Sequence, residues 1–429
     1  MKKYESYKDS GVGWIGEIPS HWSCVKIKHL LRERVDKSED GIGEPLSMSQ
    51  KYGLIPTSQM DVVPNLATSY VGAKRTRQGD MVLNKLKAHL GVFALSAYDG
   101  LVSPDYAVYY GTGRADLEYL EYLFKTPLYV SEFIKKTTGV AIGFNRLYTD
   151  DLFSIPAHYP PMQEQKRIVD YLKDKTLKIE QYVSARERER ELLDSLKQSE
   201  IANVVTKGLN PNVRMKDSGI PWIGMIPEHW ETRTLSQMAR VHFISNKNVH
   251  HQNLLSLSYG KIVCKDINTT EGLLPASFDN YQIVEDGNIV LRLTDLQNDH
   301  KSLRVGLSTQ EGIITSAYLA IEAFTGILPK YLYFLLHSID VKKVFYSMGN
   351  GLRQSLNWTE LRKLKCIVPP ILEQQAIVDY IEAKLSKIES CMADLQTEID
   401  YLKEFKQRLI SDVVTGQICV AEPQKGEQQ

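Results

Sequence analysis

The stretch KDSGVGWIGEIPSHW at residues 8–22 returns as KDSGIPWIGMIPEHW at residues 216–230. The two copies of this opening motif are identical at 11 of 15 positions, with an offset of 208 residues. Self-similarity at a fixed period is the sequence signature of an internal duplication. The chain is therefore predicted to contain the same structural unit twice.

The repeat continues beyond the opening motif, at offsets that drift slightly. GDMVL at 79–83 matches GNIVL at 287–291 at the same offset of 208, whereas GLVSPDY at 100–106 matches GIITSAY at 312–318 at an offset of 212. Short β-branched and aromatic runs alternate here with glycine-rich turns and with segments of helical spacing. Each copy is therefore predicted to begin with a mixed domain of strands and helices.

Each copy then continues as a long helix, since residues 160–206 are identical to residues 369–415 at 20 of 47 positions. Proline pairs open both segments and predict the two helix starts. In the second copy, apolar residues lie three and four positions apart, as in a coiled-coil seam. They are Val378, Ile381, Leu385, Ile388, Met392, Leu395, Ile399 and Leu402.

The equivalent seam of the first copy is polar in its middle, at Arg186 and Arg190. Polar seam residues can fix the register of a coiled coil, and long arginine side chains can also extend out of a wide helix contact into solvent. Both interpretations stay open at this point. Neither long helix can bury its seam alone, so the two helices are predicted to pair.

The predicted fold class is α+β, with two mixed domains, two long antiparallel coiled-coil helices and an internal pseudo-two-fold repeat. The pseudo-two-fold would hold the mixed domains at opposite ends of helices that span roughly 60 Å at 1.5 Å per residue. The predicted boundaries are 1–158 and 209–367 for the mixed domains, 159–208 and 368–418 for the helical regions, and 419–429 for a disordered tail.

Composition limits the class of protein. The 429 residues are 43% hydrophobic, enough for several packed domains. Neither a signal sequence nor a membrane-spanning run appears, so a cytoplasmic location and no membrane partner are predicted. Five cysteines without a C-x-x-C pair favour reduced thiols over disulfides or a structural zinc site.

Charge is balanced overall, because Lys plus Arg and Asp plus Glu both number 52. Any surface for nucleic acid must therefore be local. Residues 72–90 hold five Lys or Arg against one Asp, and residues 341–366 hold six against one Glu. These stretches suit phosphate contacts, although charge alone fits a solvated basic face equally well.

Over nearly its whole length the chain resembles the specificity subunit of type I restriction-modification enzymes. The resemblance depends on the opening motif of both halves and on the longer segments that follow it. These are GDMVLNKLKAHLGVFALSAYDGLVSPDYAVYY at 79–110, DGNIVLRLTDLQNDHKSLRVGL at 286–307, GIITSAYLA at 312–320, PPMQEQKRIVDYL at 160–172 and PPILEQQAIVDYI at 369–381.

The resemblance implies that the mixed domains are two target-recognition domains, each reading one half of a split, asymmetric site in double-stranded DNA. It implies that the helices set the spacer and dock two methyltransferase subunits, and that motor-nuclease restriction subunits join them in phage defence. This chain would need no cofactor. S-adenosylmethionine, ATP and Mg would act through the other subunits.

A search for catalytic motifs agrees that the chain is not an enzyme. It contains no Asn-Pro-Pro-aromatic or Asp-Pro-Pro-aromatic motif for amino-methyl transfer and no G-x-x-x-x-G-K-[ST] phosphate cradle. Asp105 resembles the start of a nuclease motif, but Ala317 replaces it in the second half. His21 and His229 each precede a tryptophan of the opening motif, and packing is the favoured role of both histidines and of Trp14, Trp22, Trp222 and Trp230.

Base-reading residues should lie on polar loops that differ between the two copies of a repeated scaffold. The copies differ most after Leu83 and Leu291, and in the loops after Gly139 and Gly351. The candidate DNA-binding residues of the first half are Asn84, Lys85, Lys87, His89, Asn145 and Arg146. Those of the second half are Arg292, Asn298, His300, Lys301, Arg304, Arg353, Gln354 and Asn357.

Arg353 and Gln354 are the strongest individual candidates. Arginine pairs with guanine O6 and N7, and glutamine or asparagine pairs with adenine N6 and N7. A phosphate contact or a plain surface position is the alternative for every residue of the set. Because the two halves share few of these side chains, different half-sites are expected.

Two other classes of function stay open from the sequence. The chain could be a coiled-coil scaffold or inhibitor that binds a methyltransferase without reading DNA, which a test for sequence preference would distinguish. It could also be a self-contained enzyme, which would require turnover by the purified chain with S-adenosylmethionine or ATP.

Overall fold

The structure is a computed structural model that describes residues 2–49, 52–61, 69–138, 145–248, 251–267, 277–299, 302–348 and 355–420, apart from the side chain of His89. Within these ranges no helix is both long and apolar enough to cross a membrane. The two halves of the chain contain closely similar series of strands and helices.

The first half alternates short strands with short helices before its long helix. Its strands are β1 (Tyr7–Asp9), β2 (Glu17–Pro19), β3 (Ser23–Lys26), β4 (Leu31–Glu33), β5 (Leu46–Ser49), β6 (Gly53–Pro56), β7 (Lys74–Thr76), β8 (Met81–Asn84), β9 (Phe93–Leu95), β10 (Gly100–Val102), β11 (Tyr106–Gly111) and β12 (Pro156–Tyr159). Its α-helices are α1 (Leu117–Phe124), α2 (Pro127–Lys136), α3 (Thr149–Ser154) and α4 (Met162–Lys207), with 3-10 turns at Ile27–His29, Thr57–Gln59 and Lys85–Leu90.

The second half repeats this plan. Its strands are β13 (Met215–Asp217), β14 (Met225–Pro227), β15 (Glu231–Thr234), β16 (Ala239–Val241), β17 (Ile244–Ser245), β18 (Leu255–Ser258), β19 (Lys261–Cys264), β20 (Tyr281–Val284), β21 (Ile289–Leu291), β22 (Val305–Leu307), β23 (Gly312–Thr315), β24 (Leu319–Ala323) and β25 (Lys365–Val368). Its α-helices are α5 (Pro329–Val341), α6 (Trp358–Leu361) and α7 (Ile371–Val414), with 3-10 turns at Leu235–Gln237, Asn246–Asn248 and Val344–Ser347.

The chain divides into two compact units whose boundary falls inside both long helices. Unit 1 holds Met1–Arg186 and Thr397–Gln429, and unit 2 holds Glu187–Gln396. Each unit therefore contains one mixed domain, the first part of the helix that follows that domain, and the last part of the other long helix. Among the described residues the two units have similar elements, as the internal repeat predicts, although unit 1 has three short α-helices and unit 2 has two.

An antiparallel four-stranded sheet lies at the centre of each mixed domain. Its strand order is β4-β11-β8-β9 in unit 1 and β16-β24-β21-β22 in unit 2, and these strands are equivalent one by one. Of the inner strands, β8 and β21 are buried throughout, and β11 and β24 are buried in part. Their apolar side chains pack against the helices on one side and against smaller strand pairs on the other. This duplicated sheet confirms the predicted α+β class.

The coiled-coil seam of α7 lies where its spacing predicts. Val378 and Ile381 are buried in the core of unit 2, Ile399 is also buried, and Leu385 and Leu402 are half-buried. Helix α4 begins at Met162 and α7 at Ile371, directly after the proline pairs. The predicted helix starts are therefore confirmed.

The long helices run antiparallel in both units, because residue numbers rise along one helix as they fall along the other. In unit 1, Glu180 pairs with Lys406, and Arg186 Nε forms an ion pair with Glu398 Oε2 at 3.1 Å. In unit 2, the Arg190 guanidinium donates to the Gln396 side chain, and Lys197 Nζ lies 3.3 Å from Glu389 Oε1. The polar middle of the α4 seam thus binds polar partners on α7, which favours a role in register.

The tryptophans of the opening motif pack into the cores, as the sequence predicts. Trp22 and Trp230 are fully buried, and Trp14 and Trp222 are partly buried against the same cores. The two histidines before the buried tryptophans bond to glutamates at the starts of the long helices. The opening motif is therefore part of the architecture.

The C-terminal segment after α7 is packed as far as the structure describes it. Cys419 N donates to Lys2 O at 2.9 Å, and Val420 packs beside the core of unit 1. The remainder of the predicted disordered tail, residues 421–429, lies outside the described residues.

Candidate nucleic-acid interface

In each mixed domain, the described end of one divergent stretch lies beside the other divergent stretch. In unit 1, Leu147 N donates to Lys85 O at 3.2 Å, joining the stretch after β8 to the end of the loop that follows Gly139. In unit 2, Leu356 N donates to Leu293 O at 2.9 Å, joining the two equivalent stretches. Residues far apart in sequence are thus brought together at the same place in both domains. We call this place the readout edge of each unit.

The drift of the repeat offset from 208 to 212 begins at this readout edge. In unit 1, Leu83 pairs with Phe93 across the β8-β9 hairpin, whereas in unit 2 Leu291 pairs with Val305. The connection is therefore four residues longer in unit 2. The two domains share a sheet and differ in the loop that it presents.

A cluster of charged side chains surrounds Lys85 in unit 1. Burial is the main cause that lowers the pKa of Lys85, and the neighbouring positive charge of Lys74 lowers it further. Arg146 Nη2 donates to Asp105 Oδ1 at 3.2 Å, and Lys74 Nζ lies 3.3 Å from Glu33 Oε1. The acidic groups hold two of the cations in place, so this edge presents oriented positive charge.

The other candidates of unit 1 have different environments. Lys87 and Asn145 are exposed and accessible to a ligand. Asn84 is buried, and its side chain accepts a hydrogen bond from Leu86 N at 3.2 Å, which caps the 3-10 turn. This bond favours a role of Asn84 in shaping the loop over direct contact with DNA. The side chain of His89 lies outside the described part of the chain.

In unit 2, two predicted readers lie near the surface of the longer loop. Arg292 is half-buried, and its Nη1 lies 3.7 Å from Asp299 Oδ2. Asn298 is exposed and donates through Nδ2 to Asp295 Oδ1 at 2.7 Å. The predictions for His300, Lys301, Arg353 and Gln354 fall on residues outside the described ranges.

Arg304 and Asn357 have local structural partners in unit 2. Arg304 is fully buried and its guanidinium bonds to backbone carbonyls, so its burial argues against direct contact with a base. Asn357 is exposed, and its Oδ1 accepts from Glu360 N at 3.3 Å as the N-cap of α6. Its capping bond occupies one of the groups that could meet DNA.

Two exposed apolar residues that were not among the polar candidates follow equivalent strands of the two units. Val35 and Phe243 occupy equivalent positions two residues after β4 and β16, and they are 74% and 62% exposed. Val35 follows Glu33 of the Lys85 cluster by two positions. The signal that could have identified them is an apolar residue at the same repeat position, directly after a strand that ends at the readout edge.

Nothing in the described ranges forms a group of three or more His, Cys, Asp or Glu side chains that could hold a metal ion. Asp105, which resembles the start of a nuclease motif, forms the ion pair with Arg146. The arrangement of this edge suits binding to an anionic surface and offers polar groups for hydrogen bonds with bases.

Comparisons with known proteins agree with the resemblance seen in the motifs. No family model matches the chain. The putative type I restriction enzyme MjaX specificity subunit of Methanocaldococcus jannaschii is 21% identical over 445 residues, covering 97% of this chain and 98% of that protein. The type I restriction enzyme MjaVIII specificity subunit of the same organism is 24% identical over 319 residues, covering 70% of each chain.

A solved structure supports the fold. It comes from work on complex assembly and conformational transition of the type I R-M system, and it aligns with a TM-score of 0.66 and 14% identity. The alignment covers 94% of this chain and 99% of that one. The order of mixed domains and long helices is therefore shared over nearly the full length of both chains.

Proposed function

Because the chain is a relative of type I restriction enzyme specificity subunits, we propose that it is the DNA-recognition subunit of such a complex. It recognises a split, asymmetric site in double-stranded DNA and docks two methyltransferase subunits and the motor-nuclease restriction subunits. The chain catalyses nothing itself. S-adenosylmethionine, ATP and Mg act in the other subunits, and the complex works in the cytoplasm.

One observation carries this proposal: the same sheet in each unit presents two divergent stretches side by side, with different side chains. The bonds from Leu147 to Lys85 and from Leu356 to Leu293 hold these stretches together at equivalent places. A scaffold that repeats while its presented residues change is what two readers of different half-sites require. An architecture for docking alone would give no reason for this contrast.

The chemistry of the readout edge in unit 1 fits DNA. Lys87 supplies an exposed ammonium for phosphate contact, and Asn145 offers an exposed amide that can pair with adenine N6 and N7. Arg146 is oriented by Asp105, and a guanidinium held in this way can donate two parallel bonds to guanine O6 and N7. The half-site of unit 1 would thus be read by a fixed arginine and an amide.

In unit 2 the equivalent edge offers Arg292 and Asn298, while Arg353 and Gln354 stay predicted readers that lie outside the described residues. None of these side chains repeats the residue type at its counterpart in unit 1, so the two half-sites should differ. The antiparallel helices would fix the spacing between the two readers. Two half-sites about one turn of DNA apart, roughly 34–36 Å, suit such an arrangement.

The test is methylome sequencing of cells that express the cognate methyltransferase subunit with and without this chain. We expect adenine methylation at one split motif, and only when this chain is present. Methylation without the chain, or at a contiguous motif, would contradict the proposal. Expression of the methyltransferase subunit alone is the control.

A scaffold or inhibitor that binds the methyltransferase without reading DNA is the competing function. Mobility-shift titrations of the assembled complex distinguish the two on duplexes that carry the methylated motif or a scrambled version. A reader keeps its preference as salt rises, whereas binding without readout loses affinity equally for both duplexes. Equal affinities at every salt concentration would favour the scaffold.

A further inference from the structure

The buried guanidinium of Arg304 binds the backbone of the longer loop in unit 2. Arg304 Nη1 donates to Arg292 O at 3.2 Å and to Thr294 O at 2.8 Å. Arg304 Nη2 donates to Asp295 O at 3.1 Å and to Asp299 O at 2.6 Å. Four carbonyls of a single loop thus converge on one side chain.

The remaining N–H of the guanidinium is bonded as well. Arg304 Nε donates to the Tyr346 hydroxyl at 3.0 Å, and that hydroxyl donates to Asp299 O at 2.9 Å. An arginine side chain has five N–H donors, and all five have partners here. A buried charge that is fully hydrogen-bonded rigidifies its surroundings, because moving any partner leaves a buried polar group unsatisfied.

The same loop contains a residue with an uncommon backbone conformation. Asp295 has a φ of 57°, in the left-handed region that residues other than glycine seldom occupy. Backbone in a sparsely populated region persists where surrounding contacts over-determine it, and such positions concentrate at functional sites. The carbonyl of this same residue is one of the four that Arg304 binds.

The backbone of Arg304 also bonds to an acidic side chain. Arg304 N donates to Asp340 Oδ2, so the backbone of Arg304 is tied to helix α5. Burial is the main cause that raises the pKa of Asp340 to about 6. The base of the loop is therefore attached to the helix that lies under the sheet.

Among the described residues of unit 1, no arginine occupies the position equivalent to Arg304. The residue equivalent to Arg304 is Val92, one position before the Phe93 that pairs with Leu83. The shorter connection there turns through the 3-10 helix Lys85–Leu90, capped by Asn84 and ended by Gly91 with a φ of 63°. The two mixed domains thus use different contacts to fix the loop at the readout edge.

We propose that Arg304 is a positioning residue for DNA readout by unit 2, holding the loop 292–299 in one conformation so that Arg292 and Asn298 meet fixed base edges. This inference rests on the proposed function. Recognition needs side chains held within a fraction of an ångström, which a loop can provide only when its backbone is fixed. Arg304 contributes to sequence discrimination without touching DNA.

The substitution Arg304→Lys tests the inference, because lysine keeps the charge but its three donors cannot serve four carbonyls and a hydroxyl. In the assembled complex, we expect discrimination against single-base changes in the second half-site to fall by roughly tenfold or more. Discrimination in the first half-site should not change. In the full chain, amide hydrogen exchange of residues 293–299 should become faster.

Tyr346→Phe is a milder variant that removes the hydroxyl while leaving the buried cation in place, and it should change the same two measurements in the same direction. If Arg304→Lys does not assemble, Tyr346→Phe decides. Arg233→Lys is the matched control, since Arg233 forms an exposed ion pair with Glu231 in unit 2. The control should alter neither measurement.

Equal loss of discrimination in both half-sites would overturn the inference, because it would indicate general damage to the fold. Unchanged exchange at residues 293–299 in both variants would overturn it as well. The proposed function is judged on the unsubstituted chain. If that chain directs methylation to no split motif, the function fails, while the exchange measurement still reports whether Arg304 holds the loop.

Discussion

The indole Nε1 of Trp22 donates a hydrogen bond to Glu164 Oε1 at 3.1 Å, which ties the opening motif to the first turn of α4. In unit 2, Trp230 Nε1 donates to Glu373 Oε2 at 2.9 Å in the same way. The preceding histidines bond to the same two glutamates. The most strongly repeated residues of the chain therefore attach each mixed domain to its own helix.

We expect Glu164→Ala to lower the free energy of unfolding of unit 1 by about 3 kcal/mol, because it leaves a buried indole N–H without an acceptor. Tyr4 would lose its bond to Glu164 as well. Amide hydrogen exchange of unit 1 peptides in the full chain is the measurement, and Glu373→Ala should act on unit 2 peptides instead.

Asp174→Ala is the control for this prediction, since Asp174 is an exposed residue of α4 in unit 1 that pairs with Lys178. Its effect on exchange should be small. An effect of Glu164→Ala no larger than that of the control would contradict an architectural role for the Trp22 bond.

The architecture was predictable from the sequence because its signals are repeated and periodic. Identity between 8–22 and 216–230 revealed the duplication, and the apolar spacing of α7 revealed the seam. Buried tryptophans and antiparallel helices followed from these two patterns. Residues that pack on one face of a helix recur at a regular spacing in the sequence, so the spacing alone can indicate which residues are buried.

The details of the readout edge were less accessible. Arg304 was selected as a reader because it is a cation in a divergent loop, yet the fold turns it inward to bind four carbonyls. Asn84 likewise caps a turn. The same residue types serve turns and base contacts, so composition cannot distinguish the two roles. The offset drift did mark the loop, although the sequence could not show what held it.

Acid should destabilise unit 1 through His158. This histidine is buried beside Trp22, its Nε2 donates to Val414 O at 3.1 Å, and its Nδ1 accepts from Tyr129. Burial lowers its pKa from 6.5 to about 4, so between these values the unfolded chain binds a proton that the native state does not. The stability contributed by His158 is complete above pH 6.5 and is lost as pH falls towards 4, by about 3 kcal/mol at most.

Urea unfolding across this pH range, followed by exchange in unit 1 peptides, measures the effect. His158→Gln should flatten the dependence on pH, whatever it does to stability at pH 7. The control His29→Gln replaces an exposed histidine of the same unit and should leave the slope unchanged. A slope that survives in His158→Gln would assign the acid sensitivity to other groups.

Gly416 ends α7 where no other residue fits. Its φ is 77°, and an added Cβ would lie 2.5 Å from Pro19 Cδ and 3.3 Å from Trp22 Cη2. Gly416→Ala should therefore cost at least about 2 kcal/mol more than Gly113→Ala, whose φ of 83° imposes the same backbone penalty in open space. Thermal unfolding of both variants is the measurement, and equal costs would show that unit 1 yields around the added methyl.

Arg353 and Gln354 lie outside the described residues, and their role as readers stays a prediction. Arg353→Ala and Gln354→Ala should each relax the second half-site by roughly tenfold at one base pair and leave the first half-site unchanged. Methylome sequencing of the variant complexes is the measurement. A uniform loss across all sequences would reassign the residue to phosphate contact. Lys363→Ala, in the same basic stretch and exposed, serves as the control.

The antiparallel helices predict that spacer length can be changed independently of the half-sites. Adding one heptad to both Asp170–Leu193 and Asp379–Leu402 lengthens the pair by about 10 Å, roughly three base pairs of DNA, while the seam keeps its phase. Methylome sequencing should find the same half-sites with a longer spacer, or no methylation. A heptad added to α4 alone should disrupt partners such as Lys197 and Glu389, so it tests whether register matters. The proposed separation of the two readers depends on the length of the helices. An unchanged spacer in the double insertion would therefore show that the helices do not set the distance between the half-sites.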